Sequence, residues 1–186
     1  MNMINLTNHF LIAMPQLDDP NFHHTTTYIC EHNENGAMGL IINRPLDLNL
    51  DDVLEQMNID IEDDSLGNVP VYNGGPVQAE RGFILHQPAT LWESTVIIAD
   101  DLAVTTSKDM LGAIAAGNQP KHFLITLGYA GWGAGQLEAE IADNAWLNGP
   151  ADPSIIFNEP VENRWRKAAS AMGIDLNMLS SETGHA

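Results

Sequence analysis

Cys30, Glu31 and His32 stand side by side in YICEH, and thiol, carboxylate and imidazole are the groups from which nucleophilic sites are assembled. On one extended strand Cys30 and His32 share a face, yet two residues of rise hold their Cα atoms ~6.6 Å apart. A thiol and its base must approach to about 3 Å. Cys30 therefore reads as a small buried hydrophobe. The seven histidines, above all His23 with His24 and the nearby His32, invite a metal reading. No HExxH, no His-x-His and no second cysteine accompany them, so any zinc site would have to be assembled from distant segments. Neither a catalytic set, a metal nor a cofactor is expected.

Six residues form the pool for ligand or partner binding: Asn43, Arg44, Asn73, His86, Tyr129 and Trp132. Arg44, in INRP, is scarce positive charge and could hold an anion or a partner's carboxylate, or close an internal salt bridge. Asn73 and His86 fall at strand ends, where sites commonly gather. Tyr129 and Trp132, within the glycine-rich run 128–135, could form a stacking platform on an apolar surface with one wet edge, or could anchor a core. That run follows a strand and precedes a helix, the setting of a phosphate-cradling loop. Gln136 stands where a dinucleotide fingerprint needs glycine, and Glu138 and Glu140 occupy the helix start an anion would use. A structural crossing with glycines at close approach or positive φ is the expectation. If the chain were an enzyme, Glu31, His32, His86 and Arg44 would be the pool for its site.

These residues need elements to hold them. Runs rich in β-branched and aromatic residues mark strands at 10–14, 25–31, 38–43, 69–73, 82–86, 95–99 and 122–127. Asn33 to Gly36 (NENG) lies between the second and third, so those two form an antiparallel hairpin. Apolar spacing places helices at 50–57, with Asn49 as cap, and at 106–116, opened by Thr-x-x-Asp and ended by Gly117. A third spans 161–172 between Pro160 and Gly173 and buries Trp165, while Arg166 and Lys167 favour its carbonyl end. Another begins near Gln136. Strands gathered early, with helices scattered behind them, indicate an α+β fold in a single domain over 1–186.

The chain carries 25 Asp and Glu against 7 Lys and Arg, a net charge of −18. Its long-range field repels nucleic acid, whose binding relies on cations displacing counterions. Arg164, Arg166 and Lys167, the one basic cluster, are too few to reverse that. No apolar run approaches the ~18 residues of a membrane span. The N-terminus lacks a basic region and a cleavage site, and a lone cysteine fits a reducing compartment, so a cytoplasmic location is expected.

Six stretches occur in one order: HFLIAMPQLDDPNF (9–22), YICEHNENGAMGLIINRP (28–45), GGPV (74–77), RGFILH (81–86), GYAGWGAGQLEAEIADNAWL (128–147) and GHA (184–186). Together they resemble the AlgH/YqgE family across nearly the whole chain. The resemblance implies a bifurcated, mainly antiparallel sheet curled into a pseudo-barrel with helices packed around it. Its name implies a tie to transcriptional control, which on charge grounds would be indirect. The residues themselves point to a non-catalytic regulatory or binding protein acting through a small ligand or protein partner, with an enzyme of undetermined class as the other alternative.

Overall fold

The computed structural model describes residues 4–62 and 64–183; the GHA motif at 184–186 lies outside them. In chain order the elements are β1 (His9–Ala13), β2 (Thr26–Asn33), β3 (Gly36–Ile41), β4 (Pro45–Asn49), α1 (Leu50–Gln56), β5 (Pro70–Asn73), β6 (Val77–Gln87), β7 (Thr95–Ala99) and β8 (Leu102–Thr105). There follow α2 (Lys108–Ala115), β9 (His122–Gly133), α3 (Gln136–Ala142), β10 (Trp146–Pro150), α4 (Pro153–Phe157), α5 (Arg164–Ser170) and α6 (Leu176–Thr183).

The strands form one sheet in the order β10-β1-β2-β3-β9-β6-β8-β7, with β4 and β5 branching from it. β9 is where it forks. One edge of β9 pairs antiparallel with β6, from Gln87↔His122 to Gly82↔Leu127. The other edge pairs first with β5, in parallel from Val71↔Ile125 to Asn73↔Leu127, and then with β3, from Gly39↔Ala130 to Gly36↔Gly133. The result is a curled, mainly antiparallel half-barrel with six helices packed on it, the α+β architecture expected.

Strand alternation divides the apolar residues among three clusters. Phe10, Ile12, Tyr28, Leu85 and Leu124 point to the inner face, filled by Ile155, Ile156, Trp165, Ala168 and Leu176 from α4, α5 and α6. Val71, Ile84 and Ile125 point outward beneath α1 and α2. Leu11, Ala13, Ile29 and Trp146 point outward beneath α3.

Several local expectations are corrected. The glycine-rich run 128–135 is not a free loop: β9 continues through it to Gly133. Its glycines admit neighbouring backbone, since a Cβ on Gly128 would lie 2.4 Å from the Gly75 carbonyl oxygen. α2 is capped from Ser107 rather than Thr106, with Asp109 tied to the Ser107 hydroxyl. The segment from Val161 begins as a 3-10 turn, and α5 starts only at Arg164, so the basic cluster opens the helix and Lys167 alone lies in its last turn.

Candidate functional site

A groove of about 980 Å³ opens on the inner face of the half-barrel, away from α4 and α5. Its walls come from β2 and β3 (Cys30, Glu31, Met38), β6 (Val77, Arg81, Phe83), β7 and β8 (Thr95, Val96, Val104) and β9 (Tyr129, Gly131). Tyr129 meets Phe83 edge-on, with ring centroids 5.8 Å apart. The Arg81 guanidinium lies over the other end of the pair, 5.5 Å from the Phe83 centroid. An apolar, aromatic floor with few charges at the rim is the usual make-up of a small-ligand site. Glu31 and Glu93 also line it.

A β-bulge sets the chemistry of this wall. The β2–β3 register shifts between Ile29 and Glu31, leaving Cys30 as the extra residue. Cys30 and Glu31 then both border the groove, while His32 turns to the opposite side of the sheet. Cys30 and His32 therefore do not share a face, contrary to the regular-strand expectation. The Leu6 N–H donates to His32 Nδ1 at 3.0 Å, and Nε2 donates to Glu138 of α3. Burial, aided by the Glu31 charge, pushes the Cys30 thiol far up and keeps it protonated.

Trp132 also borders the groove, but it lies three residues from Tyr129 and its ring falls on the other face of β9. Its ring, 6% exposed, packs on Phe22 and Trp146 at centroid distances of 6.0 and 6.2 Å. Trp132 and Trp146 both donate indole N–H bonds to Glu140 Oε1, at 3.0 and 2.9 Å. Bonds to a charged acceptor contribute about 1.5–3 kcal/mol each. The acids of α3 thus reach back to the sheet, Glu138 to an imidazole and Glu140 to two indoles.

The other candidates do not meet at the groove. Arg44 donates to the carbonyls of Pro20, Asn21 and His23 at 2.7–2.9 Å, clamping that loop rather than closing a salt bridge. Asn43 joins the same corner, accepting from the Thr26 N–H and donating to the His24 carbonyl, both at 2.9 Å. Asn73 accepts from the Gly75 N–H at 3.1 Å and shapes the turn before β6. His86 is buried, its Nδ1–H donating to the Pro88 carbonyl at 2.9 Å and its Nε2 accepting from Thr105 Oγ1 at 2.8 Å. Thr105 in turn contacts Thr95 Oγ1 at 2.8 Å, so a hydrogen-bonded line runs from the imidazole across β8 to β7.

Sequence reasoning missed Phe83 and Arg81 as groove residues, though both stand in RGFILH, where alternation about a strand would have put them on one side. It also missed a stack on the α5 side, where His24 lies between His23 and Trp165 at centroid distances of 3.8 and 3.9 Å. Burial is the largest cause lowering the His24 pKa, followed by His23, Arg166 and Arg44. Among the described residues, no three His, Cys, Asp or Glu side chains gather as a metal site would require, and no helix is long and apolar enough to cross a membrane.

The AlgH-like family pattern matches residues 10–177. The chain belongs to the AlgH-like family. A UPF0301 protein of Thioalkalivibrio sulfidiphilus is 57% identical over 182 residues, covering 98% of this chain and 97% of that relative. The solution structure of the AlgH protein from Pseudomonas aeruginosa superposes with a TM-score of 0.81 at 52% identity, covering 100% of this chain and 98% of that one. A Corynebacterium diphtheriae protein shares the fold at 20% identity, with a TM-score of 0.75 over 96% of this chain and 93% of its own. The forked AlgH-like sheet is therefore kept where most side chains differ, and its fork at β9 forms one wall of the groove.

Proposed function

We propose that this AlgH-like protein is a non-catalytic, cytosolic regulatory or binding protein whose working surface is the groove, taking a small ligand or a protein partner. The observation that carries the reading is the Tyr129–Phe83 pair beside Arg81 on the floor of a 980 Å³ cleft. Such a floor favours a flat apolar body bearing a polar or anionic group. Support for binding over catalysis comes from the reactive side chains themselves. The Cys30 thiol is held protonated by burial, and His32 is turned to the other face of the sheet, toward Glu138. Both nitrogens of His86 are engaged inside the protein.

The test is a thermal-shift screen of nucleotides, common metabolites, divalent metals and short oligonucleotides at fixed salt. A groove ligand at 100 times its dissociation constant raises stability by about 2.7 kcal/mol, or several degrees in midpoint. Tyr129→Ala and Arg81→Ala are expected to lose that shift and Arg44→Ala to keep it. A hit that survives both groove changes would place the working surface elsewhere.

A further inference from the structure

We propose that β7 receives an extended peptide, apolar in its middle and carrying Lys or Arg at both ends, as an added strand on the open edge of the sheet. The inference rests on the groove being the working surface, because Val96 of β7 forms part of its rim.

Among the described residues β7 is paired only with β8 and ends the strand order. The Thr106 N–H donates to the Ser94 carbonyl at 3.1 Å, while the Ser94 N–H goes to Ser107 Oγ, so residues 94 and 106 stand at a hydrogen-bonded position of the ladder. Antiparallel pairs alternate in kind, which makes Val96–Val104 the next hydrogen-bonded pair and turns the N–H and C=O groups of Thr95 and Ile97 away from β8. The close Thr95–Thr105 hydroxyl contact fits the non-bonded position between them. Those outward groups are a template for another strand.

Edges of this kind are normally blunted by charge or proline. The opposite edge strand, β10, carries Pro150. β7, Thr-Val-Ile-Ile-Ala, carries neither; its register against β8 shifts between Ile97 and Ala99, past the Thr95 to Ile97 stretch, and its Val96 and Ile97 are 61% and 54% exposed, on opposite faces of the sheet. Val96 is directly opposite Val104 and so faces the groove. Alternate side chains of an added strand would lie beside Val96 over the groove, the rest beside Ile97.

Charge selects the occupant. Exposed Glu93 precedes the strand and exposed Asp100 and Asp101 follow it. A second copy pairing antiparallel would bring the acidic ends of two chains together, each with a net charge of −18. A peptide with basic ends and an apolar middle instead meets the acids with opposite charge and the edge with strand-forming side chains.

The probe is a synthetic peptide of alternating valine and threonine flanked by lysine pairs, with a glutamate-flanked version as comparison, titrated into the isotope-labelled full chain. The lysine peptide is expected to shift the amides of Thr95–Ala99, and to bind about tenfold more weakly when glutamate-flanked or in high salt. Ile97→Pro removes an N–H that β8 does not use, and is expected to abolish binding. If that variant folds poorly, Ile97→Lys serves instead, weakening the lysine peptide and favouring the glutamate one. Shifts elsewhere, indifference to charge, or binding that survives both variants would overturn the proposal, as would dimerisation of the free protein through β7. A small-molecule hit dependent on Tyr129 with the lysine peptide silent would overturn it while leaving the groove reading intact.

Discussion

His86 is buried and hydrogen-bonded at both ring nitrogens. Its Nδ1–H donates to the Pro88 carbonyl, and its Nε2 pairs with the Thr105 hydroxyl, which can donate to the neutral ring or accept from the charged one. Burial lowers its pKa from the ordinary 6.5, only partly opposed by the Pro88 bond. Below the ordinary value the unfolded chain takes up the proton first, so stability is full above it and lost as pH falls toward the folded value. Between about pH 7 and about pH 5 the melting midpoint is expected to fall, and His86→Gln to flatten that slope. His24 is shifted in the same direction, so His24→Gln is measured beside it. A slope unchanged by His86→Gln would assign the dependence elsewhere.

At the scale of elements, β9 decides the fold, and its glycines are where it is most easily broken. Gly128 has φ +78, and Gly75, at φ +152, would set a Cβ 2.1 Å from the Tyr129 carbonyl carbon. Gly128→Ala is expected to cost about 3 kcal/mol or more in urea unfolding. Gly117→Ala, also at positive φ but with nothing within 4 Å, should cost only about 1–2 kcal/mol. Equal losses would mean that strain in φ, not the crossing of strands, governs both sites. The NENG hairpin and the seven apolar runs were legible because alternation and turn residues are local signals. β4, β8 and β10 were not, because β4 and β10 carry Pro and Asn among their five residues, β8 has only four, and partners distant in sequence hold them extended. The glycine run looked like a turn because glycine serves close backbone approach equally well. Of the residues lining the groove, Tyr129 was legible as an aromatic candidate. The bulge that sends Cys30 and His32 to opposite faces has no local signature, and neither does the partner of Arg44, which proved to be three carbonyls rather than an acid.

Across the whole molecule, charge is poorly balanced and the fold makes little use of what could balance it. Arg44 and Arg164 both donate to backbone carbonyls rather than to carboxylates, and only seven basic residues stand against 25 acids. Self-repulsion then opposes compaction. Raising ionic strength from about 0.01 M to about 0.1 M shortens the reach of charge from ~30 Å to ~10 Å, and the melting midpoint is expected to climb by a few degrees. A fall would show that attraction outweighs repulsion at the surface.

The pairing of β1 with β10, His9 opposite Pro150, also fixes a timetable. At roughly 5–20 residues per second of synthesis, the first strand leaves the ribosome on the order of ten seconds before the last one it must bind. β9, which both branches of the sheet require, emerges scarcely earlier. Neighbouring pairs such as β1 with β2, β2 with β3 and β7 with β8 can close on their own, but the edges of β1, β3 and β6 that meet β10 and β9 must wait uncovered. A protein of this topology therefore folds late in its own synthesis, and it depends during that interval on whatever keeps unfinished chains apart.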